Sequence, residues 1–294
     1  MQFLKNIHPF KINELDHFVK VMVGGKQIGL TPPDFAYTIS NFNDVWQMTD
    51  NGLELNDEYR TFEERTKAVD DTFMALSDAG ILPPLPDYSA FGGIDWLSVK
   101  PHEGADALFV VKRFYYSCLG IQVHAVIVNG FTDDEYWVAV RGKKVESGAG
   151  KLDVIVAGMI RHGESVVEAM YHESQEEACL SPEDLTDARE IALLHLPNLN
   201  RYGFLQDEWF HIFDINLKEK TPVVGLPIEV ESFRKISIQE LMTYLEDGVS
   251  IKEHIRLVIT DYLIRHGHLN ESHPGFQKIK ELLYRENYAL SNRP

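Results

Sequence analysis

Three glutamates in the middle of the chain have a type and a spacing that could hold a metal ion. The segment "GMIRHGESVVEAMYHESQEEACL" runs from Gly158 to Leu180, and Glu173, Glu176 and Glu177 fall close together within it. In a helix, positions i, i+3 and i+4 lie on one side. Carboxylates without paired His or Cys suit a hard cation such as Mg²⁺ or Mn²⁺. The spacing is compatible with a metal-binding helix edge or with a solvated acidic face.

The helix that carries these glutamates has a recognisable start and a recognisable buried face. Ser165 and Glu168 have the spacing of a capping box, which predicts that the helix begins directly after Ser165. The positions that share its packing face are Val167, Met170, Tyr171, Ser174 and Ala178. The three glutamates border this face rather than lying opposite to it. This placement favours the metal-binding interpretation over the solvated one.

Strand-like and helix-like segments surround the acidic helix. Capping boxes at Thr61 and Ser237 predict two further helices. Segments such as "QVHAVIVNGF", "EYWVAVRGK" and "EWFHIFDINL" have the composition of strands. Strands interleaved with helices predict an α/β (α+β) domain. We expect a smaller mixed α+β N-terminal domain over 1–107, the main domain over 108–267 and a polar tail over 268–294.

The bulk composition limits the classes of partner. The 294 residues are 44% hydrophobic and carry a formal net charge of -17. This charge argues against a nucleic acid or an anionic membrane as partner, whereas a small anionic ligand is compatible if a divalent cation reverses the local charge. Two cysteines make no disulfide framework, and the N-terminus lacks a signal-peptide core. We therefore expect a cytoplasmic protein, and the sequence leaves a homodimer open.

The acidic segment resembles the Nudix box of the Nudix hydrolases, G-x5-E-x7-R-E-U-x-E-E-x-G-U, in which U is a bulky aliphatic residue. The residues that fit this pattern in register are Gly158, Glu164, Glu173, Glu176, Glu177 and Leu180. Three positions depart from it, with His172 in place of the arginine, Ser174 in place of the first aliphatic residue and Cys179 in place of the second glycine. If the helix end requires a positive φ, a cysteine there is strained.

Segments outside the box resemble a narrower branch, the Nudix proteins related to thiamine pyrophosphokinase, which carry an extra N-terminal domain. These segments are "KLDVIVAG", "EVESFRKISIQEL", "DYLIRHG", "GGKQIGLTPPDFA" and "TFEERTKAVDDTF". The resemblance covers about 1–267 and implies a Nudix α/β/α sandwich with a mixed sheet.

The resemblance also implies a reaction and a set of residues. Nudix enzymes hydrolyse a small-molecule diphosphate with one to three divalent cations, here Mg²⁺ or Mn²⁺, and a water that attacks phosphorus. Glu176 and Glu177 would be the principal metal ligands, with Glu173 as a ligand or a base. The carbonyl of Gly158 would complete the metal shell, and Glu164 would cap or brace the loop.

Two further roles follow from the resemblance. The general base often lies outside the box, and Glu229 is the first candidate, followed by Glu231, Asp207 and Glu208. His172 stands where an arginine normally holds the box glutamates. A protonated imidazole at this position could partly replace that arginine, with weaker or pH-dependent activity as the expected result.

The resemblance also implies a class of substrate. The branch implies thiamine diphosphate, or its oxidised analogues, cleaved to the monophosphate. A nucleotide sugar, ADP-ribose and a dinucleotide polyphosphate are the alternatives, as is a Nudix-fold module that binds ligand without catalysis. The candidate substrate-binding residues are His124, Arg141 and Tyr202, each with a core or surface role as its alternative.

Overall fold

The computed structural model describes residues 12–86, 93–145, 147–218 and 220–284. In these ranges the strands form a four-stranded, a two-stranded and an eight-stranded sheet. In chain order the elements are a 3-10 helix Ile12–Leu15, β1 (Val19–Val23), β2 (Lys26–Thr31), α1 (Pro33–Ser40), β3 (Trp46–Thr49), β4 (Gly52–Leu55), α2 (Phe62–Asp78), β5 (Trp96–Val99), β6 (Phe109–Lys112), α3 (Tyr116–Leu119), β7 (Gln122–Thr132), β8 (Glu135–Arg141), β9 (Leu152–Asp153), β10 (Val156–Met159), α4 (Val166–Ala178), β11 (Arg189–His195), β12 (Asn198–Leu199), β13 (Leu205–Asn216), β14 (Val230–Ser237), α5 (Ile238–Asp247), α6 (Glu253–Arg265) and α7 (Phe276–Leu283).

The N-terminal region packs two helices and two small sheets around one core. Its larger sheet has the order β2-β1-β4-β3, with β1 parallel to β4 and the other pairs antiparallel. The predicted capping box starts α2, because Thr61 Oγ1 accepts from the Glu64 N–H at 3.1 Å and the Glu64 carboxylate accepts from the Thr61 N–H. The core of this region also takes in the β5–β6 ribbon and continues to Val123. The predicted bound at 107 therefore falls between the two strands of that ribbon.

The eight-stranded sheet has helices on both of its faces. Its path is β11-β13-β7-β8-β14, with β10 on β7, β12 on β13 and β9 on β8. The β13–β7 pair is parallel and the other pairs are antiparallel, so the sheet is mixed. Side chains alternate along β7, so Val126 and Val128 pack with α4 while Ala125 and Ile127 pack with α6. The predicted α/β/α sandwich with a smaller mixed α+β N-terminal unit is confirmed.

The predicted tail over 268–294 contains the helix α7 within its described part. Phe276, Ile279 and Leu283 recur at helical spacing on one face of α7 and are buried in the same core as α6. Residues 285–294 of the predicted tail lie outside the described residues, as do residues 1–11 and 87–92 of the predicted N-terminal domain. Within the described ranges, no helix has the length and apolar character that crossing a bilayer requires.

Candidate metal centre and active site

The helix α4 begins where its capping box predicts and turns two of the three glutamates towards the sheet. Ser165 is the N-cap, with its Oγ accepting from the Glu168 N–H at 3.2 Å. Met170, on the face packed against the sheet, is buried in the core that α4 shares with β7. Glu173 and Glu177 are consequently only 7% and 6% exposed. These two carboxylates therefore lie at the edge of a buried surface.

Gly158 leaves space for Glu173. The residue lies in β10, opposite Val126 of β7. A Cβ atom built on Gly158 would lie 2.0 Å from Cδ of Glu173, which is far inside van der Waals contact. Gly158 does not need a positive φ, so the requirement for glycine is steric. Without a side chain at this position, the Glu173 carboxylate can lie directly on the strand.

Glu177 lies in a small cleft between α4 and the sheet. Its Oε2 accepts from the Ala157 N–H at 3.0 Å. The other residues that line the cleft are Ala139, Arg141, Asp153, Val154, Glu229 and Val230. Burial raises the pKa of Glu177 well above its ordinary value, and the nearby carboxylates of Glu173 and Glu229 raise it further. The cleft therefore brings the box helix together with Glu229, the first candidate for the base.

Glu173 has the same electrostatic character. Burial raises its pKa to about 8, although the guanidinium groups of Arg113 and Arg161 act in the opposite direction. Two buried carboxylates with raised pKa values form a site where a cation would be strongly favourable. Carboxylate oxygens are the donors that Mg²⁺ and Mn²⁺ prefer, so the residues present fit such a cation.

His172 and Arg161 change the expected arrangement around the box. His172 Nδ1 donates to Glu164 Oε1 at 3.0 Å, and its Nε2 accepts from Arg161 NH1 at 2.8 Å. Arg161 NH2 then donates to Glu176 Oε2 at 3.1 Å. His172 Nε2 also lies 3.4 Å from Glu176 Oε2, so His172 and Arg161 both border this carboxylate, and the role of His172 in place of the box arginine stays a prediction. The guanidinium that holds Glu176 comes from the loop before α4.

The hydrogen-bond partners of His172 indicate which side chains could bind a metal. Ligand atoms of His172, Glu173 and Glu176 lie within 4.8 Å of one another. Both ring nitrogens of His172 are engaged, with Glu164 and Arg161. Glu164 also accepts from the Arg161 N–H at 3.1 Å, so it ties the loop to the helix. The glutamates are therefore the better donor set, with His172 and Glu164 as their support.

The end of α4 is strained at the position where the Nudix pattern has glycine. Cys179 closes the helix with φ = 51°, in the left-handed region. A non-glycine residue pays roughly 1–2 kcal/mol there. The Ala178 and Glu177 carbonyls accept from the N–H groups of Val223 and Gly225, both at 3.0 Å, so a later loop completes the helix end.

Two side chains that the sequence reasoning missed, Asp95 and Arg113, reach the site from the β5–β6 ribbon. Asp95 precedes β5 and Arg113 follows β6, and the Arg113 N–H donates to the Asp95 carbonyl at 2.9 Å. Asp95 Oδ2 accepts from Arg113 NH1 at 3.0 Å, while its Oδ1 lies 2.6 Å from Arg161 Nε. Arg113 NH1 lies 4.0 Å from Glu229 Oε1. Neither residue belongs to the box, and only the pairing of the ribbon brings them together.

Two of the candidate substrate-binding residues border the site. Arg141 lines the cleft beside Glu177 and donates through NH1 to Asp153 Oδ2 at 2.8 Å. The main-chain carbonyl of His124 accepts from the Ile160 N–H at 2.9 Å, next to the loop that carries Arg161. Burial lowers the pKa of His124, which favours the neutral ring.

The remaining candidates are engaged elsewhere. Tyr202 is 49% exposed, and its ring lies beneath the guanidinium of Arg201, which also donates to its hydroxyl at 2.6 Å. In the described part of the chain, Tyr202 makes no contact with the box glutamates. Among the alternative bases, Asp207 pairs with His195, Glu208 accepts from the Tyr116 hydroxyl, and Glu231 lies 3.2 Å from Lys143 Nζ.

Comparison with protein families assigns the two parts of the chain. Residues 120–257 match the family model described as the NUDIX domain. This segment of the chain is therefore similar to the NUDIX domain. Residues 2–123 match a second family model, described as a domain of unknown function, DUF4743. The segment that matches the NUDIX domain carries the whole glutamate cluster, whereas Asp95 and Arg113 lie in the segment that matches DUF4743.

Known proteins similar to this chain include Nudix hydrolases. Nudix hydrolase 24, chloroplastic, of Arabidopsis thaliana is 28% identical over 271 residues, which cover 90% of this chain and 72% of the relative. Nudix hydrolase 20, chloroplastic, of the same plant is 26% identical over 283 residues, covering 92% and 74%. A solved Nudix hydrolase from Nitrosomonas europaea is 19% identical, with a TM-score of 0.38 over 49% of this chain and 90% of that one.

Two consequences follow from these similarities. The Nudix domain and the Nudix hydrolase relatives support a pyrophosphohydrolase enzyme, as the sequence predicts. The prediction of a cytoplasmic protein is contradicted, because both plant relatives are named chloroplastic. The finer resemblance to the branch related to thiamine pyrophosphokinase stays a prediction.

Proposed function

We propose that this chain hydrolyses a small-molecule organic diphosphate with the help of Mg²⁺ or Mn²⁺, by attack of water on phosphorus. One observation carries the proposal. Glu173 and Glu177 are buried carboxylates with raised pKa values, next to Glu176 and Glu229, inside a Nudix domain. Burying like charges together is costly unless a cation compensates them. A divalent cation would compensate these carboxylates and would also bind the phosphate oxygens of a diphosphate.

The residues of the chain take distinct roles in this proposal. Glu173, Glu176 and Glu177, with the carbonyl of Gly158, would hold the cation. When bound, such a cation lowers the pKa of water, neutralises the charge of the diphosphate and stabilises the charge that develops at phosphorus. Glu229 shares the cleft with Glu177 and would accept the proton of the attacking water. Its position opposite the box helix supports this role.

The residues that surround the glutamates would fix their orientation. Glu164 and His172 hold the loop before α4 through one hydrogen-bonded chain with Arg161. Arg141, in the cleft, would meet a phosphate oxygen of the substrate. Such supporting contacts matter because a misplaced ligand weakens both metal binding and catalysis.

We propose thiamine diphosphate, or its oxidised analogues, as the first substrate to examine. The resemblance of segments in the box region and the N-terminal region supports this choice. A row of planar rings on neighbouring strands of the sheet is compatible with a heterocyclic substrate, because the Trp209 ring is stacked with His195 at 4.3 Å and with His124 at 6.2 Å between centroids. Tyr202, further out on an exposed loop, would contact the substrate only if that loop closes.

A panel of diphosphates tests the proposal. The purified chain is incubated with Mg²⁺ or Mn²⁺ and with thiamine diphosphate, its oxo analogue, ADP-ribose, a nucleotide sugar or a dinucleotide polyphosphate. Chromatography follows the products, and ¹⁸O-labelled water shows where oxygen enters. We expect a monophosphate product with ¹⁸O on phosphorus. A chain that binds the metal and cleaves none of these compounds would instead be a binding module.

A further inference from the structure

The β5–β6 ribbon of the N-terminal region is fixed directly on the loop of the Nudix box. The His162 N–H donates to the Trp96 carbonyl at 2.8 Å. The ring of His162 also makes a hydrogen bond of 2.8 Å, between its Nδ1 and Ser98 Oγ. The next residue back along the box loop is Arg161. The docking of the ribbon therefore determines where Asp95, at the start of β5, lies relative to Arg161.

Asp95 joins two guanidinium groups that come from different parts of the chain. Its two carboxylate oxygens contact Arg113 NH1 at 3.0 Å and Arg161 Nε at 2.6 Å. The second contact is an ion pair whose N–H is not aligned as a hydrogen bond. The Asp95 side chain is 12% exposed, whereas those of Arg113 and Arg161 are 28% and 29% exposed. The partly buried carboxylate thus holds two arginines whose side chains remain partly exposed.

Both guanidinium groups face carboxylates of the proposed active site, Arg161 the metal-binding glutamates and Arg113 the proposed base Glu229. Arg161 NH2 lies 3.1 Å from Glu176 and 3.9 Å from Glu173, and Arg113 NH1 lies 4.0 Å from Glu229. A cation held by the glutamates would take over the neutralisation of their charge. The two arginines would then lie beside a positive centre with planar donor groups that match phosphate oxygens.

From this geometry we propose that Arg113 and Arg161, joined by Asp95, form a clamp for the phosphate groups of the substrate. The inference rests on the diphosphate hydrolysis proposed above. It makes the N-terminal region part of the active site, since Arg113 and Asp95 both belong to it. Arg113 is a binding residue and Asp95 is a positioning residue, which acts through the two arginines.

A binding experiment on the full chain tests the clamp without any turnover. The probe is methylenediphosphonate, a diphosphate analogue that cannot be hydrolysed, titrated calorimetrically in the presence of Mg²⁺. The variants are Arg113→Gln, Arg113→Lys and Asp95→Asn. Arg60→Gln is the matched control, because it removes one exposed arginine of the same N-terminal region. Thermal unfolding without metal checks that each variant is folded.

We expect Arg113→Gln to weaken binding of the probe by about tenfold or more, as the loss of a charge-assisted hydrogen bond to phosphate predicts. Arg113→Lys should recover part of the affinity, because it keeps the charge and loses the planar fork. Asp95→Asn should weaken binding while both arginines remain present. With a substrate from the panel, KM should rise by more than kcat falls, and the shift in melting temperature caused by Mg²⁺ alone should remain.

Two results would contradict the clamp, and they are distinguishable. If the wild-type chain binds the probe and Arg113→Gln and Arg113→Lys both bind it within about twofold of wild type, the clamp is wrong and the hydrolase proposal stands. If the wild-type chain neither binds the probe nor cleaves any diphosphate, the proposed function fails and the clamp fails with it.

Discussion

Replacing Glu173 with glutamine should stabilise the metal-free protein at neutral pH. Burial raises the pKa of this carboxyl from 4.5 to about 8. At pH 7 the carboxyl has therefore lost its proton in the unfolded chain and mostly keeps it in the folded chain. The pH lies about 2.5 units above the unfolded pKa of 4.5. At about 1.36 kcal/mol per unit, the cost to folding is on the order of 3 kcal/mol. Glutamine has nearly the same shape and no charge, so Glu173→Gln should recover much of this free energy.

The pH dependence has a defined sign. A carboxyl whose pKa is raised by folding contributes stability that is fully present below pH 4.5 and is lost as the pH rises towards 8. The metal-free wild-type protein should therefore lose stability over this range, and Glu173→Gln should lose less. Thermal unfolding in chelator, from pH 4.5 to 8, measures the difference. A gain of about 5 °C or more is expected for Glu173→Gln at pH 7.

The same substitution should remove most of the stabilisation that Mg²⁺ or Mn²⁺ gives, because the variant lacks a ligand. Glu231→Gln is the matched control, since Glu231 is an exposed glutamate two residues from Glu229. The control should leave both the metal-free stability and the response to metal unchanged. A Glu173→Gln protein that is less stable than wild type at pH 7 and keeps the same pH dependence would refute the reasoning.

Three other substitutions have expected outcomes. Gly158→Ala should lower the melting temperature and remove the rise in melting temperature caused by metal, because the alanine Cβ would lie 2.0 Å from Glu173 Cδ. An unchanged response to metal would contradict the steric argument. Cys179→Gly should raise the free energy of unfolding by about 1 kcal/mol in a denaturant titration, because glycine adopts the left-handed backbone conformation of this position without strain. A lower midpoint of unfolding for the variant would contradict this. His172→Arg should lower the rate of hydrolysis, because a second guanidinium would displace Arg161. A higher rate would instead support the role of an arginine at this position in holding the box glutamates.

Local sequence signals predicted several elements of the fold. The capping boxes at Thr61 and Ser165 form with both reciprocal hydrogen bonds, and Ser237 accepts from the Glu240 N–H at the start of α5. Such caps are readable because all partners lie within four residues. The segment of β7 was readable as a strand from its composition, whereas the helix that covers each of its two faces was not. The packing of α7 on the core was not, because a short polar segment gives no local sign of its partner.

The candidate site also contains residues that local spacing predicted and residues that it could not predict. Glu173, Glu176 and Glu177 lie on one helix, so their spacing alone predicted that they share an edge. The roles assigned to these residues remain predictions. Asp95 and Arg113 were missed, because they reach the box only through the pairing of β5 with β6 and the hydrogen bond from His162 to Trp96. The one local signal was Arg161, which lies three residues before Glu164 in the box itself.

The most direct test of the central claim is the rate of diphosphate hydrolysis by Glu177→Gln, compared with wild type and with Glu231→Gln at saturating Mg²⁺. Glu177 lies in the cleft with Glu229 and is buried against Ala157. Glutamine keeps the shape and removes the charge that would hold the cation. We expect a loss of about 100-fold or more for Glu177→Gln, and full activity for the control. Hydrolysis by Glu177→Gln at the wild-type rate would contradict the account.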